Sequence, residues 1–169
     1  AAAAAALVEP GSTVIFDGGT TALAMVQALP RTLECTIITH SPTVAAALVD
    51  HAAAVFVIGG QLFKHSLVAC GAAAVEAASA ISADRFFLGV TGVHPSEALT
   101  TGDPDEAAMK RALAARAAET WVLASEEKVG AASRFRVLGL DDVAGIITDV
   151  ADSATVRELR GAGVVVVSA

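Results

Sequence analysis

A short segment rich in glycine and threonine has the residue types and spacing of an anion-binding loop. Residues 17–21 read Asp-Gly-Gly-Thr-Thr, follow the apolar run 14–16 and precede a helical pattern that stops at Pro30. Glycine lets the backbone approach an anion closely, hydroxyl groups add donors, and the dipole of a helix N-terminus favours negative charge. The segment therefore suits a phosphate monoester, while a tight turn with a threonine cap accounts for the same residues without a ligand.

Two well-known phosphate loops do not match this segment. No Gly-Lys-Ser or Gly-Lys-Thr follows the glycines, as a P-loop requires. The glycines also lack the spacing of the dinucleotide-binding fingerprint. The sequence therefore predicts no nucleotide cofactor.

A lysine that follows a later apolar run is a candidate for contacting the same anion. Lys128 lies in the polar segment 125–130, directly after the apolar run 121–124. Its ammonium group could reach over a neighbouring crevice as a point charge. A solvated loop lysine is the simpler interpretation, and both stay open.

A carboxylate lies at a predicted helix start. Asp103 has the position of an N-cap, Pro104 takes the first helical position, and Glu106 has the place of the capping-box carboxylate. Glu106 also precedes Lys110 by one helical turn, which predicts an ion pair. Capping and ion pairing account for a glutamate at position 106 without a ligand. The alternative is that Glu106 faces a ligand from the start of the helix.

Short apolar runs alternate with helical patterns along the chain and predict the fold. Such strands are typical of a mostly parallel sheet with helices on both faces. We predict one α/β, Rossmann-like domain over residues 1–169, with a helix from Asp103 to about Ala118 and an irregular stretch around Lys64. The predicted strands are 14–16, 36–39, 55–58, 85–90, 121–124, 145–148 and 164–167, with a loop or small hairpin at 93–101.

Polar or glycine-rich segments follow most of these strands. Ligands of open α/β sheets bind at the carboxyl ends of the strands, so we expect the segments to converge on one crevice. The segments are Asp17–Thr21, Thr39–Ser41, Gly59-Gly60, Thr91-Gly92 and Ser125–Gly130.

The remaining reactive residues form no catalytic or metal-binding pattern. The 4 histidines have no metal-ligand spacing with one another or with Cys35 and Cys70. No Gly-x-Ser-x-Gly segment occurs, and no histidine lies near an obvious serine or cysteine partner. We predict no metal, no cofactor and no catalytic residue, and we expect both thiols to be buried in a reducing cytoplasm.

The composition limits the classes of function. Hydrophobic residues make up 54% of the chain and mean hydropathy is +0.63, but no apolar run reaches the roughly 18 residues of a membrane helix. A net charge of −7 disfavours DNA binding by this chain itself. Residues 1–6 are all alanine and lack the charged region of a signal peptide. Because the chain opens without methionine, we expect it to be a fragment.

Several segments match a known family in order and spacing. They are Asp17-Gly-Gly-Thr-Thr21, Thr39-His-Ser41, Ile58-Gly-Gly60, Phe87-Leu-Gly-Val-Thr-Gly92 and Asp105-Glu-Ala-Ala-Met-Lys-Arg111, with Lys128-Val-Gly130 and Ile147-Thr-Asp149. Together, from about Val14 to Asp149, they resemble the C-terminal sensor domain of the DeoR family of bacterial sugar-metabolism regulators.

The resemblance implies a fold similar to those of ribose-5-phosphate isomerase and the CoA-transferase-like proteins. It implies a cytoplasmic, homo-oligomeric repressor whose sensor domain binds a phosphorylated sugar. That domain controls operator DNA binding by an N-terminal helix-turn-helix, which we expect to be absent from this chain.

The resemblance also implies which residues bind the effector. The loop Gly18–Thr21 and Lys128 would hold the phosphate, and residues near Thr39, Gly60, Gly92 and Glu106 would line the sugar. The full implied set is Asp17, Gly18, Gly19, Thr20, Thr21, Thr39, His40, Ser41, Gly59, Gly60, Lys64, Thr91, Gly92, Glu106 and Lys128.

The chain departs from the family's common pattern at several of these positions. His40 replaces a common asparagine, and Phe63 stands where an arginine often follows the double glycine. The common Asp-Gly-Ile becomes Thr-Gly-Val at 91–93, and Asp-Ser-Ser becomes Ser-Glu-Glu at 125–127. These changes add negative charge beside Lys128, and they predict either a different effector or an altered pocket.

Two other classes of function stay open. A sugar-phosphate isomerase of the same fold needs a carboxylate base beside the substrate carbon. The chain has Thr91 and His94 in the region where the isomerases have aspartates, which leaves Glu106 as the candidate base. The third class is an oligomerisation domain without a ligand, which would show no stabilisation by any sugar phosphate.

Overall fold

The apolar runs form strands of one parallel sheet in the computed structural model, which describes residues 1–169. All seven strands predicted from these runs are present, some with shifted ends. In chain order the strands are β1 (Thr13–Phe16), β2 (Thr36–Thr39), β3 (Ala54–Val57), β4 (Gln61–Phe63), β5 (Val68–Cys70), β6 (Ala83–Gly89), β7 (Gly92–His94), β8 (Ala98–Thr101), β9 (Ala117–Ala124), β10 (Phe135–Leu138), β11 (Gly145–Thr148) and β12 (Val166–Ser168).

The order of strands in the seven-stranded sheet is β12-β11-β9-β6-β1-β2-β3, and every neighbouring pair is parallel. From β1 the chain builds outward through β2 and β3, and it then returns to add β6 on the other side. This reversal is the topological switch point of a doubly wound sheet, where a crevice opens at the carboxyl ends of the strands.

Helices cover both faces of the sheet, as predicted. The helices are α1 (Ala2–Ala5), α2 (Thr20–Ala28), α3 (Pro42–Ala47), α4 (Ala72–Ser79), α5 (Pro104–Ala114) and α6 (Ala154–Gly161). Side chains alternate between the faces along each strand. Val14 and Phe16 pack with the first three helices, whereas Ile15 packs into a second cluster with Met109 of α5 and Leu159 of α6.

Two predicted helix caps are present. The Ser41 side chain accepts a hydrogen bond from the Val44 N–H, with proline at the next position. The Asp103 carboxylate accepts from the N–H groups of Asp105 and Glu106, both at 2.9 Å. These caps satisfy donors that the first turn of a helix leaves unpaired, so local sequence sets both helix starts.

The predicted end of α5 was wrong. The helix stops at Ala114 instead of continuing to about Ala118, because Ala117 already pairs with Ala83 at the start of β9. Alanine is the best helix former, but the hydrogen bonds and packing of the central sheet override this local preference.

The stretch around Lys64, predicted to be irregular, is the turn of an antiparallel hairpin formed by β4 and β5. A second small sheet contains β7, β8 and β10. β7 and β8 form a hairpin, one of the two alternatives predicted for residues 93–101, whereas β10 was not predicted. Both small sheets lie outside the parallel sheet. No helix is long and apolar enough to cross a membrane.

Candidate functional site

A polar cleft of about 220 Å³ opens at the carboxyl ends of β1 and β6, at the topological switch point. The segments after these two strands form its floor, and α5, the β4–β5 hairpin and the loop after β9 form its walls. The lining residues are Gly18, Gly19, Thr20, His65, Ser66, Gly89, Val90, Thr91, Thr101, Glu106, Lys110 and Lys128.

The predicted anion-binding loop lies at one end of this cleft. Gly19 is the N-cap of α2 and has a φ of 96°, a backbone conformation that favours glycine. No acceptor within the chain reaches the N–H groups of Thr20, Thr21 and Ala22. These groups and the helix dipole therefore leave an electropositive helix start beside the cleft.

Lys128 lies across the cleft from this loop, in a short 3-10 turn over Glu126–Lys128. No hydrogen bond or ion pair within the chain involves its ammonium group. Glu127 instead accepts a hydrogen bond from the Ser125 hydroxyl at 2.5 Å, a bond that lowers the pKa of Glu127. The ammonium group of Lys128 is thus available to an anion in the cleft.

Asp17 is buried beneath the loop and does not line the cleft. Its Oδ1 accepts from the Gly18 N–H and from His40 Nε2, both at 2.8 Å. Its Oδ2 accepts from the Gly89 N–H at 2.9 Å and from Lys110 Nζ at 2.5 Å. Asp17 is therefore a positioning residue that joins the ends of β1 and β6 to β2 and α5.

The charge state of Asp17 follows from these partners. Burial alone would raise the pKa of the carboxyl group, but Lys110 and His40 outweigh burial and hold it well below its usual value of 3.8. An opposite charge and donated hydrogen bonds both favour the ionised form. Asp17 is consequently a buried anion with a full set of donors.

Lys110 was noticed in the sequence only as the partner of Glu106, and the structure makes it the centre of the buried network. Its Nζ donates to Asp17 and to the Gly89 carbonyl oxygen at 2.9 Å, and it forms an ion pair with Glu106 Oε1 at 3.3 Å. Burial would lower the pKa of Lys110, but Asp17 and Glu106 raise it. The ammonium group thus holds Asp17, Gly89 and Glu106 together at the edge of the cleft.

The predicted capping box is only half formed. Asp103 caps α5, but the Glu106 carboxylate turns away from it and faces the cleft. Glu106 Oε2 accepts from the Ser66 hydroxyl at 3.2 Å, and Oε1 pairs with Lys110. The buried partner Lys110 attracts the carboxylate more strongly than a backbone N–H does, so Glu106 forms part of the cleft wall.

His40 anchors the β4–β5 hairpin to the network. Nδ1 donates to the Ala69 carbonyl oxygen at 2.8 Å, and the Ala69 N–H donates to the His40 carbonyl oxygen at 2.7 Å. Nε2 faces Asp17 Oδ1 at 2.8 Å, so the two ring nitrogens contact acceptors on two different elements. His40 therefore joins the end of β2 to the hairpin and to the buried Asp17.

The other predicted site residues lie outside the cleft. Thr39 and Ser41 are buried behind it, where the Ser41 hydroxyl donates to the Leu67 carbonyl oxygen at 3.3 Å. Thr21 lines a neighbouring, mostly apolar pocket. Gly59 borders a groove beside β3, and Lys64 is exposed in the hairpin turn.

Gly60 and Gly92 lie where the backbone is crowded. A Cβ atom on Gly60 would lie 2.8 Å from the Ala74 Cβ, and one on Gly92 would lie 2.4 Å from the Ala131 carbonyl oxygen. Close packing therefore explains both glycines without a ligand.

Sequence reasoning did not place several residues in the cleft, although Gly89, Val90 and Lys110 lie in segments that it had singled out. His65 and Ser66 come from the unpredicted hairpin, and Thr101 lies at the end of β8, where its hydroxyl is 3.4 Å from that of Thr91. The full missed set is His65, Ser66, Gly89, Val90, Thr101 and Lys110.

The crowding at Gly92 predicts a loss of stability. We expect Gly92→Ala to reduce the free energy of unfolding by about 1–3 kcal/mol, as other overpacking substitutions do, because the atoms in the way belong to the backbone of Ala131 and Ala132. Gly59→Ala is the matched control, since nothing lies within 4 Å of its added Cβ. Urea unfolding measures both variants, and equal midpoints would contradict the packing argument.

The sheet order and the cleft at the switch point define a Rossmann-like α/β domain. Ribose 5-phosphate isomerase A from Methanocaldococcus jannaschii has a similar fold, with a TM-score of 0.53 and 17% identity over 75% of this chain and 50% of that chain. A probable sor operon regulator from Shigella flexneri is also similar, with a TM-score of 0.51 and 13% identity over 91% of this chain and 82% of that chain.

The sequence comparisons define the family. The family model described as the DeoR C terminal sensor domain matches residues 1–150. The HTH-type transcriptional regulator FruR of Bacillus subtilis is 32% identical over 86% of this chain, GlpR of Haloferax volcanii 30% over 93%, and the repressor GlcR of Bacillus subtilis 29% over 86%. The chain belongs to the sensor-domain family of the DeoR-type transcriptional regulators. It spans 58%, 62% and 56% of the lengths of these three relatives.

Proposed function

We propose that this domain senses a phosphorylated sugar in the cleft between β1 and β6, and that occupancy changes operator binding by a DNA-binding segment of the full-length regulator. The observation that supports this is that Thr20, whose N–H group is unpaired at the start of α2, lines the same cleft as Lys128. Helix N-termini and lysine side chains are two of the commonest partners of phosphate.

The size and polarity of the cleft support a single sugar unit. Its volume of about 220 Å³ is below the roughly 300–1,000 Å³ of sites for drug-sized ligands. Beyond the phosphate end, Glu106 offers carboxylate oxygens, and Thr91 and Thr101 offer hydroxyl groups. These groups suit the hydroxyls of a monosaccharide, whereas a dinucleotide would exceed the space.

A sensor also needs an element that responds to the ligand, because a ligand shifts an equilibrium only by binding one arrangement better. α2 begins in the anion-binding loop and packs against α1 at the N-terminal end of the chain. Ala4 and Ala5 of α1 are buried in the same core cluster as Met25 of α2. A small shift of α2 on phosphate binding would therefore reach the N-terminal segment directly.

The geometry favours sensing over isomerisation. A sugar-phosphate isomerase of this fold needs a carboxylate base that is free to accept a proton from the substrate. Asp17 is buried and fully bonded, and its pKa lies below the usual range. Glu106 is held by Lys110 and Ser66. We therefore expect no turnover of ribose 5-phosphate, and isomerase activity removed by Glu106→Gln would overturn the sensor proposal.

A thermal-shift screen tests the proposal. At a hundred times its Kd, a ligand that binds only the folded state stabilises it by about 2.7 kcal/mol, which corresponds to a rise of about 5–10 °C for a domain of this size. We expect such a rise with some sugar phosphates but not with the unphosphorylated sugars. The rise should shrink in Thr20→Val, which removes only the hydroxyl group. If no sugar phosphate moves the midpoint, a domain without this ligand becomes the better interpretation.

A further inference from the structure

The turn of the β4–β5 hairpin carries an ionisable side chain that lines the cleft and has no partner within the chain. His65 lies in this turn and lines the cleft together with Ser66. The Ser66 hydroxyl donates to Glu106, whereas no hydrogen bond or ion pair within the chain involves the His65 ring. The ring centroid of His65 lies 6.1 Å from that of Phe63. Both ring nitrogens of His65 are therefore available to a ligand in the cleft.

The hairpin is held at a set position beside the anion-binding loop. Val68 packs so closely on Gly18 that a Cβ atom on this glycine would overlap the Val68 Cγ1 atom. The Ser41 hydroxyl donates to the Leu67 carbonyl oxygen at 3.3 Å, and Leu67 has a φ of 52°, which is uncommon for a residue with a side chain. Backbone strain of this kind persists only where surrounding contacts maintain it. These contacts place the turn, and with it His65, next to the loop.

Leaving histidines aside, the formal charges in and beneath the cleft cancel. Glu106 and the buried Asp17 supply two carboxylates, and Lys110 and Lys128 supply two ammonium groups. Lys110 pairs with both carboxylates, whereas Lys128 has no partner within the chain. A phosphate monoester carries close to two negative charges near neutral pH. One further positive charge is therefore needed to balance such a group in the cleft.

We propose that His65 is the second cation of the phosphate site and that it takes up a proton from solvent when a phosphate monoester binds. This inference rests on the proposed function and adds the charge of the effector, a dianionic phosphate. Histidine is the side chain that most readily gains a proton near neutral pH, and a bound dianion favours the charged ring. A ring nitrogen of His65 then donates to one phosphate oxygen, and Lys128 donates to another.

Charged groups on every wall of the cleft bear on this protonation. Glu106 and Lys110 lie on α5, Lys128 lies in the loop after β9, Asp17 lies beneath the loop after β1, and Lys64 precedes the ring in the turn. In the empty cleft the unpaired charge of Lys128 opposes a second positive charge, because like charges repel. A bound dianion outweighs the single charge of Lys128. Protonation is thereby coupled to binding.

Nuclear magnetic resonance of the histidine rings tests this coupling, with methyl phosphate, a small phosphate monoester, as the probe. At about pH 7.5 the monoester is mainly a dianion and a free imidazole is mainly neutral. We expect methyl phosphate to move the ring-proton signal of His65 towards its protonated position and to leave that of His51 in place. His51 precedes β3 and does not line the cleft. His65→Gln and His51→Gln assign the signals, since each variant removes one.

The affinity of the two variants is a second readout. We expect His65→Gln to raise the Kd for methyl phosphate by roughly tenfold or more, and His51→Gln to leave the Kd unchanged. Glutamine keeps an N–H donor but has no charge, so the loss reports the missing charge. Circular dichroism should be the same for both variants, because neither side chain is buried.

The outcomes separate this inference from the sensor proposal. A His65 signal that stays in place while the amide signals of Gly18 and Gly19 move with methyl phosphate would overturn the role of His65 and leave the sensor proposal standing. No movement of any of these signals would overturn this inference together with the phosphate site. Protonation of His65 by methyl phosphate, without a response to any sugar phosphate in the thermal-shift screen, would support this inference and contradict the sugar.

Discussion

Lys128→Ala is expected to raise the Kd for a sugar phosphate by roughly ten- to a hundredfold. Hydrogen bonds to charged groups contribute about 1.5–3 kcal/mol, and each change of about 1.4 kcal/mol is tenfold in affinity. The ammonium group has no partner within the chain, so its removal should leave the thermal midpoint of the ligand-free protein nearly unchanged. Isothermal titration calorimetry with a sugar phosphate from the thermal-shift screen measures the change.

Lys64→Ala is the matched control for this experiment. Lys64 was also among the predicted ligand-binding residues, but it is exposed in the hairpin turn and does not line the cleft. We expect its removal to leave affinity unchanged within about twofold. Equal losses in the two variants would mean that the phosphate is attracted by general charge instead of being bound by Lys128.

Lys110→Met is expected to have the largest effect on stability. The substitution leaves Asp17 and Glu106 buried without their shared cation, and breaking a buried pair in this way typically costs about 3–5 kcal/mol. Chemical denaturation measures the loss. Arg111→Met, the next residue on α5, removes the same charge and one hydrogen bond to the Arg136 carbonyl oxygen, and should cost about 0.5–1.5 kcal/mol.

The double variant Asp17→Asn/Lys110→Met separates charge from packing. If unpaired charge causes the loss, removing the buried anion together with the cation should recover part of the stability. A double variant no more stable than Lys110→Met would instead assign the loss to packing. Unchanged stability in Lys110→Met would contradict the role given to the network.

The same network predicts a dependence of stability on pH. The pKa of Asp17 is lower in the folded protein than its usual value of 3.8, so the unfolded state binds the proton first. The contribution of Asp17 is therefore complete above that usual value and is lost as the pH falls below it. We expect the unmodified protein to lose stability below about pH 4 more steeply than Asp17→Asn, and parallel pH profiles would contradict this.

Local sequence was enough to predict the elements whose signals lie within a few residues. Ser41 and Asp103 are caps because their side chains reach N–H groups two or three residues ahead. β1 and β2 are continuous apolar runs because helices cover both faces of the sheet, and this pattern is visible within each run. The glycine loop at the start of α2 was also placed at the cleft, since glycine and the first turn of a helix follow each other directly in the chain.

Other features were missed because their causes are distant in sequence. Ser66 reaches the cleft through a hairpin that is held by His40, 29 residues away from Ala69 in the chain. α5 ends at Ala114 because β6 recruits the following residues into the sheet. Neither the hairpin contact nor the strand pairing can be predicted from the periodicity and composition of a short stretch of sequence.

The α/β class, the family and the position of the glycine loop before α2 follow from the sequence, because they depend on apolar period, capping chemistry and residue order. Which polar residues face the cleft and which support it depends instead on how the elements pack. Asp17 and Lys110 became a buried ion pair, although 93 residues separate them, and Glu106 turned from the helix cap to the cleft wall. The reason is that burial and charge pairing depend on every element packed around a group, whereas spacing along the chain reports only its neighbours.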